Sequence, residues 1–357
     1  INMLEFDYID TDEKLRLASE FWTEEIAIDL ECENNLHHFG TFISLIQIST
    51  KERNWILDIL KVKEPKELID VLHNPNIQKI FHDVSFDLRI LFNQFNCKPK
   101  NIFDTQIAAL FLNKESLGLG SLFEEYFDLS KEKKFQRVDW TKRPLSEEML
   151  EYATKDSAYL LELRDLLTKE LIEMERLEWV KQENIHLEEI DFTFHEQEYT
   201  GVSGVKSMNP EERGRFKVLF EERNKIAEEI DSPPYRIIRN AQLLAFARNP
   251  PYSVNSWKQL RGIHPLVKKR AELFFNAIKN ASNDVLERPV MKKFTIPQRN
   301  QVKKLTELRN QIAEKLQLKP HLLLTTDELR QIVLQKTISF LRQWKQEVLE
   351  GKIDFLT

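Results

Sequence analysis

The stretch Ile26–Glu31, which reads IAIDLE, decides the fold prediction. Its composition predicts a buried β-strand, and alternate residues of a strand share a face. The two isoleucines and the leucine would point to one face, whereas Asp29 and Glu31 would point to the other. Two carboxylates about 5 Å apart repel by roughly 3 kcal/mol at an effective dielectric of about 20. A hard metal ion is the simplest group that would stabilise this pair.

Length and composition indicate an ordinary globular protein of two or three domains. The chain has 357 residues, of which 41% are hydrophobic, enough for a sizeable core. No apolar run reaches the roughly 18 residues of a membrane span, and the acidic first residues do not resemble a signal peptide. Two cysteines, Cys32 and Cys97, are too few for a disulfide framework. We therefore expect a cytoplasmic protein without membrane association.

The net charge of −6 conceals an asymmetry between the two parts of the chain. Residues 201–357 hold 29 Lys+Arg against 17 Asp+Glu, a net charge of +12, whereas residues 1–200 hold 23 against 41, a net charge of −18. A basic back half is suited to hold a polyanion. The alternative interpretation is a set of solvated helix faces of arbitrary sign.

Strand and helix signals predict a mixed sheet with helices on its faces. An entry helix is predicted within residues 1–24, followed by three strands with short links, at 26–31, 42–48 and 54–58. Such links indicate an antiparallel meander. Strands and helices then alternate, with strands at 78–82 and 101–103 and helices ending at 73, over 87–95 and from 105. This alternation predicts crossover connections and parallel strands.

Two further acids stand at informative positions. Asp87 follows a predicted strand and opens a predicted helix, near the sheet edge where open α/β sheets bind ligands. The alternative is that Asp87 only complements the helix dipole, with Ser85 as the cap. Asp156 lies four residues after Tyr152, on the apolar stripe of a helix predicted from about 146 to 170. The alternative for this pair is a structural hydrogen bond. Asp104 is interpreted as a helix cap.

Residues 136–145 form a polar loop that includes Trp140 and Arg143. This loop is either a helix entry or a wall of a substrate site, and the sequence leaves both open. From about residue 210 the pattern is helical, and residues 223–228 recur at 309–314 in the form RNxIAE, a shift of 86 residues. The recurrence predicts two copies of one small helical domain.

In the first copy, a glycine turn at 262 precedes the basic residues Lys268, Lys269 and Arg270. Such a turn either offers backbone N–H groups to a phosphate or simply joins two helices.

Together, Asp29, Glu31, Asp87 and Asp156 are four carboxylates on elements that can meet at one sheet edge. Oxygen-only ligands select Mg²⁺ or Mn²⁺, and no histidine or cysteine pattern in the sequence indicates zinc. Two such ions would form the apparatus for in-line attack on a phosphodiester. Tyr152 would then orient the attacking water, since a pKa near 10 makes orientation the more natural role than deprotonation.

Three motifs carry a resemblance to a known family. The D-x-E of a strand, the Asp of H-x-x-x-x-D-L and the Y-x-x-x-D of a helix resemble the exonuclease motifs of the DEDD superfamily, tyrosine subgroup. With the DWxxRPL segment at 139–145, the FDTQ run at 103–106 and the helical repeat, the whole chain is similar to the ribonuclease D family. The resemblance implies a ribonuclease H-like α/β catalytic domain over 1–200 and two all-α HRDC domains over 207–288 and 289–357.

The resemblance also implies an activity: 3′→5′ hydrolysis of RNA to nucleoside 5′-monophosphates with two divalent cations, and maturation of tRNA 3′ ends. It assigns metal binding to the four acids and water orientation to Tyr152. The predicted substrate-binding residues are His82, Trp140, Arg143, Lys268, Lys269 and Arg270, and the protein is expected to be a monomer. Asp83 departs from the family, which usually has a small residue there. Two alternatives are a DNA-directed exonuclease and a non-catalytic nucleic-acid-binding scaffold.

Overall fold

The computed structural model describes residues 4–130, 134–193, 198–286 and 294–353. The strands are β1 (Asp7–Ile9), β2 (Glu25–Asn34), β3 (Thr41–Ser49), β4 (Asn54–Asp58), β5 (Gln78–Phe81) and β6 (Ile102–Asp104). They form a six-stranded sheet in the order β1-β4-β3-β2-β5-β6. The helices of this α/β domain are α1 (Asp12–Ser19), α2 (Lys66–His73), α3 (Ser85–Phe95), α4 (Thr105–Phe111), α5 (Leu119–Phe127), α6 (Glu147–Ala158), α7 (Leu160–Glu173) and α8 (Leu177–Leu187).

The pairing of the strands confirms the predicted mixed sheet. β2 pairs antiparallel with β3, and β3 pairs antiparallel with β4. β5 then pairs parallel with both β2 and β6. The prediction missed β1, which pairs parallel with β4, because three residues are too few to show a period of two. The predicted entry helix is the shorter α1, capped by the Thr11 side chain.

The two faces of β2 are divided as its sequence predicts. Ile26, Ile28 and Leu30 are buried in one hydrophobic core, and Ala27 is buried in the core on the opposite face. Asp29 and Glu31 are only partly buried. Strand β2 is therefore anchored by its apolar side chains, while its two acids remain partly exposed.

The single helix predicted from 146 to 170 is wrong, because the structure has two helices that meet at Tyr159. The Tyr159 ring packs against Phe123 at 5.7 Å and Phe127 at 5.6 Å between centroids. This packing fixes Tyr159 at the break between α6 and α7. No proline or glycine marks the position in the sequence, so the local pattern gives no stop signal.

The back half of the described chain is helical and contains the predicted repeat. Its described α-helices are α9 (Pro210–Glu229), α10 (Pro234–Ile237), α11 (Asn240–Arg248), α12 (Val254–Lys258), α13 (Pro265–Lys269), α14 (Ala271–Lys279), α15 (Ile296–Lys315), α16 (Pro320–Leu323), α17 (Thr326–Gln335) and α18 (Gln343–Leu349). Short 3₁₀ turns at Tyr199–Gly201 and Val205–Ser207 precede them. We call α9–α14 the first helical unit and α15–α18 the second. None of the described helices combines the length and the apolar character that a membrane crossing requires.

Equivalent side chains make equivalent hydrogen bonds in the two units. Arg223 donates to the Ile238 carbonyl at 3.4 Å, and Arg309 donates to the Leu324 carbonyl at 3.2 Å. Both long helices also begin with a capping box and a proline in the first turn. The recurrence in the sequence is therefore a repeat of local structure.

The two units are attached to the α/β domain in different ways. The first has a core of its own around Trp257, whereas the second shares a core with α4, α7 and α8. The Trp344 ring lies 5.3 Å from the Phe111 ring and 5.0 Å from the Trp179 ring. The second unit therefore completes the hydrophobic core of the α/β domain.

Candidate active site

Three of the four predicted acids meet at one point. Asp29 and Glu31 of β2 and Asp156 of α6 each offer a carboxylate oxygen, and these oxygens lie within 4.8 Å of one another. Helix α6 packs on the sheet, where the hydroxyls of Ser49 and Ser157 form a buried hydrogen bond of 2.7 Å. Because Ser49 is in β3, this bond fixes the turn of α6 that carries Asp156 against the strand next to β2.

The fourth acid, Asp87, lies beside this cluster in the first turn of α3. Loss of hydration, and then the carboxylates of Asp29, Asp104 and Asp83, raise the pKa of Asp87 well above its usual value. The pairing of β2 with β5 explains this proximity, because α3 follows β5 directly. The carboxyl ends of these strands thus bring Asp87 to the acids of β2.

The turn before α3 is stabilised by the side chain of Asp104 and not by that of Ser85. Helix α3 begins at Ser85 after Val84, whose side chain cannot accept a hydrogen bond, so the predicted Ser85 cap is wrong. The Asp104 carboxylate accepts from Gln106 N at 2.8 Å, which confirms it as the cap of α4. It also accepts from Asp83 N and Val84 N, each at 3.0 Å. One buried acid therefore caps one helix and positions the turn that presents Asp87.

Asp83, where the sequence departs from the family pattern, is exposed. Its backbone is in the left-handed region, with φ +58°. Aspartate is among the few non-glycine residues that adopt this conformation readily. Its charge contributes to the raised pKa of Asp87. The structure therefore places an additional negative charge beside the cluster.

Cys32 lies just beyond Glu31, after a β-bulge in β2. It packs against the core face that holds Ile28 and Leu30, as the strand alternation predicts. Burial, and then the charges of the nearby acids, raise the pKa of this thiol well above its usual value. The group is thus a neutral part of the core, which is consistent with an oxygen-only ligand set.

Tyr152 lies one turn before Asp156 on α6. Its ring is 5.3 Å from the Phe135 ring and 6.2 Å from the Trp140 ring. Tyr152 and Asp156 both line a cavity of about 440 Å³, with Phe123, Phe135, Lys134 and Lys155 among the other lining residues. Lys134 and Lys155 are ion-paired with Glu148 and Glu151, which also line the cavity, so the aromatic side chains are the ones suited to contact the bases of a nucleic acid.

Trp140 and Arg143, predicted to bind substrate, both have structural contacts. Trp140 is 4% exposed, and its carbonyl accepts from Ser44 Oγ at 2.5 Å and Arg143 Nη1 at 2.7 Å. The Arg143 guanidinium binds Asp58 through two hydrogen bonds of 2.6 and 2.7 Å. Substrate binding by these two residues stays a prediction, and their contacts favour the helix-entry interpretation of the loop.

His82 stands at the end of β5. Its Nδ1 lies 2.9 Å from Thr105 Oγ1, and this hydroxyl donates to the Phe81 carbonyl at 3.0 Å. The hydroxyl is therefore left as an acceptor, so Nδ1 carries the proton. The ring is fixed beside the turn that leads to Asp87. Its role in substrate binding stays a prediction.

The three basic residues predicted to bind substrate in the first helical unit lie in and just after α13. Lys269 is exposed and Lys268 is half-buried, and neither is ion-paired within the described ranges. Arg270 forms a bidentate ion pair with Glu229, with bonds of 2.7 and 2.6 Å. The His264 side chain accepts from Leu266 N, so the helix start is capped and the glycine turn joins two helices. The two lysines remain the better candidates for phosphate contact.

Comparisons with known proteins agree with this architecture. Residues 6–172 match the family described as 3′-5′ exonuclease, and residues 212–278 match the HRDC domain. The chain is 30% identical to ribonuclease D of Haemophilus influenzae over 271 residues, which cover 72% of this chain and 67% of that protein. It is 29% identical to the exosome complex exonuclease RRP6 of Saccharomyces cerevisiae over 299 residues. That match covers 78% of this chain but only 41% of the yeast protein.

The crystal structure of Escherichia coli RNase D, described as an exoribonuclease involved in structured RNA processing, has the same fold. It superposes with a TM-score of 0.73 at 23% identity, over 99% of this chain and 98% of that one. The acid cluster stands inside the matched exonuclease region, and an HRDC domain follows it. The chain therefore belongs to the ribonuclease D family of DEDD 3′-5′ exonucleases.

Proposed function

We propose that this protein is a divalent-metal-dependent 3′→5′ exoribonuclease that releases nucleoside 5′-monophosphates from single-stranded RNA 3′ ends, tRNA precursors among them. The convergence of Asp29, Glu31 and Asp156, with Asp87 beside them, carries this proposal. The Haemophilus relative is named ribonuclease D and the yeast relative is named an exonuclease, which supports RNA as the substrate class and exonuclease action.

The acid cluster fits divalent cations on its own geometry. Three carboxylate oxygens within 4.8 Å of one another repel strongly and offer the hard ligands that Mg²⁺ and Mn²⁺ prefer. We assign Asp29, Glu31, Asp87 and Asp156 as the residues that would hold two such ions. When bound, the ions would make a water molecule more acidic and offset the negative charge of the phosphodiester.

The side chains of the site would position the reactants. Tyr152 would hydrogen-bond the attacking water and orient it. The rings of Phe135 and Trp140 hold Tyr152 in position. Water would add to the last phosphorus, and the bond from phosphorus to the 3′ oxygen would break. The last nucleotide would leave as a 5′-monophosphate, and the shortened RNA would end in a new 3′ hydroxyl.

The helical half would hold the RNA. We propose domain limits of 1–200, 207–288 and 289–357, with the second helical unit as a second HRDC domain. The shared arginine contacts and capping boxes support this assignment. Both cysteines are free thiols, which supports a reducing cytoplasm. We also propose that the protein acts as a monomer.

Digestion of a single-stranded RNA labelled at its 3′-terminal nucleotide tests the proposal. With Mg²⁺ or Mn²⁺ we expect labelled mononucleotide as the first product, and no product in EDTA. A DNA strand of the same sequence is the matched substrate. Faster cleavage of the DNA would favour the DNA-directed exonuclease. RNA binding without product in either metal would favour the scaffold.

The salt dependence of RNA binding tests the role of α13. Each lysine–phosphate contact adds about 0.7 to the slope of log affinity against log salt for single strands. We expect the double variant Lys268→Gln, Lys269→Gln to lower that slope by about 1 to 1.5, since both contacts are lost. Fluorescence anisotropy with labelled RNA at several salt concentrations measures it.

The double variant Lys63→Gln, Lys66→Gln, on the α/β domain, is the matched control and should leave the slope unchanged. An equal slope for wild type and the α13 variant would show that α13 does not contact phosphates. Deletion of residues 210–357 is a poorer test, because it would expose the core that Trp344 shares with Phe111.

A further inference from the structure

Residues 35–40 form a loop that follows β2, the strand of Asp29 and Glu31, and that contacts the first helical unit. The loop follows β2, and its start is fixed by Glu33, whose carboxylate accepts from Leu36 N at 2.5 Å and His37 N at 2.9 Å. At its end, Phe39 packs against the core of the first helical unit. Tyr235 of that unit also donates to the Leu36 carbonyl at 3.0 Å. The loop is therefore a firm connection between two domains.

His38 is at the centre of this connection and uses both ring nitrogens. Its Nδ1 lies 2.6 Å from Oδ2 of Asp231, in the first helical unit. The other oxygen of Asp231 accepts from Phe39 N at 3.1 Å. On the opposite side, Nε2 of His38 lies 2.9 Å from Thr141 Oγ1, in the loop before α6. The ring thus links the helical unit to the segment that carries Trp140.

The hydrogen-bond partners determine the protonation state of the ring. Thr141 Oγ1 donates its proton to Asp139 Oδ1 at 2.5 Å, so this hydroxyl can only accept from His38. The Asp231 carboxylate is also an acceptor, because hydrogen bonding to His38 keeps its pKa below its ordinary value. Both ring nitrogens must therefore donate. A neutral imidazole has one N–H and can satisfy only one of the two partners.

We propose that His38 is an imidazolium clamp that docks the first helical unit onto the 139–141 loop, and that loss of one ring proton loosens this docking. The clamp is a positioning device, because it sets where the HRDC domain stands relative to the acids of β2. Its use in holding RNA rests on the proposed function. The docking itself is independent of that function.

The charged and titratable groups around the ring favour the cation. Asp231 faces Nδ1 from the helical unit, Asp139 lies 3.8 Å from Nε2, and Glu33 and His37 flank it on the loop. The hydrogen bond to Asp231, followed by the charges of the three acids, raises the pKa of His38. The protonated ring stabilises docking fully at a pH below the ordinary histidine pKa of about 6.5. This stabilisation is lost as the pH rises through the raised pKa of His38. Docking is therefore expected to weaken toward alkaline pH.

The test uses the full chain without RNA. Ring-labelled histidine NMR would follow the titration of His38, identified by its loss in His38→Gln. Hydrogen exchange of peptides covering 36–40, corrected for intrinsic rate, would report docking from pH 6 to 9. We expect His38 to titrate above about 6.5, and exchange in the loop to rise at least about tenfold across the same transition.

Two variants separate the clamp from general instability. Asp231→Asn keeps an acceptor for Phe39 N but removes the charge, so the pKa of His38 should fall and the exchange transition should move to lower pH with it. His37→Gln changes the neighbouring histidine, whose Nε2 lies 3.1 Å from the Arg137 carbonyl oxygen rather than beside Asp231 or Thr141, and should leave the transition in place.

A wild-type His38 that titrates at or below about 6.5 would overturn the proposal, as would loop exchange that does not change between pH 6 and 9. Neither measurement involves RNA, so a failure of the nuclease proposal would leave both results interpretable. If the nuclease proposal holds, the KM for an RNA long enough to reach the helical unit should rise over the same pH range. The KM for a dinucleotide should not.

Discussion

Replacing Asp29 with asparagine is expected to lower kcat for RNA by about 100- to 1,000-fold, the scale of losing one preorganised electrostatic group. The amide has the shape of the carboxylate but no negative charge, so the cluster with Glu31 and Asp156 would hold cations less tightly. Rates of mononucleotide release from 3′-labelled RNA at saturating Mg²⁺ measure the effect.

Glu162→Gln is the matched control, because this acid is exposed on α7 and outside the cluster. It should retain wild-type activity. Circular dichroism and thermal unfolding should show that Asp29→Asn remains folded, since removing one of several mutually repelling charges does not weaken the core. A kcat within about threefold of wild type would rule out Asp29 as a metal ligand in the reaction.

Replacing Asp58 with alanine is expected to lower the free energy of unfolding by about 3–5 kcal/mol, the usual cost of removing one partner of a buried ion pair. Asp58 is fully buried and accepts hydrogen bonds from Arg143 Nε and Nη2 and from the Tyr8 hydroxyl at 2.6 Å. Its loss would leave the guanidinium without its counter-charge at the end of β4. Urea unfolding followed by tryptophan fluorescence measures the change.

Tyr8→Phe is the control, because it removes one hydrogen bond from the same carboxylate and should cost only about 1 kcal/mol. Equal effects of the two variants would contradict a stabilising Arg143–Asp58 ion pair. An increase in RNA affinity in Asp58→Ala would show that the released Arg143 can reach the substrate. Hydrogen bonds from Arg143 and Tyr8 lower the pKa of Asp58 despite its burial. The charged Asp58 carboxylate therefore contributes fully to the free energy of unfolding at a pH above the ordinary aspartate pKa of about 3.9. This contribution is lost as the pH falls from there through the lowered pKa of Asp58.

The parts of the fold that follow from local sequence were predicted. The period of two in IAIDLE shows which face of β2 is buried, and four-residue spacing on α6 places Tyr152 near Asp156. The alternation of strands and helices after Pro65 similarly determines the parallel half of the sheet. These signals need only neighbouring residues, so one sequence is enough to recognise them.

The parts that depend on distant contacts were missed. The Arg143–Asp58 pair joins residues 85 positions apart, and His38 meets a partner 193 positions away. The break at Tyr159 likewise depends on rings of α5 rather than on its own neighbours. Asp104 was recognised as a cap, but its bonds to the turn before α3 arise only when β5 and β6 pair. Such contacts have no local period to reveal them.

Manganese binding to the RNA-free protein, followed by electron paramagnetic resonance, tests the central claim most directly. If Asp29, Glu31, Asp87 and Asp156 together hold two divalent cations, wild type should bind Mn²⁺ and release it to EDTA. Asp29→Asn and Asp156→Asn should each bind at least about tenfold more weakly, and Glu162→Gln should match wild type. Equal Mn²⁺ affinity in all four proteins would contradict the account, because the gathered carboxylates would then not be a metal site.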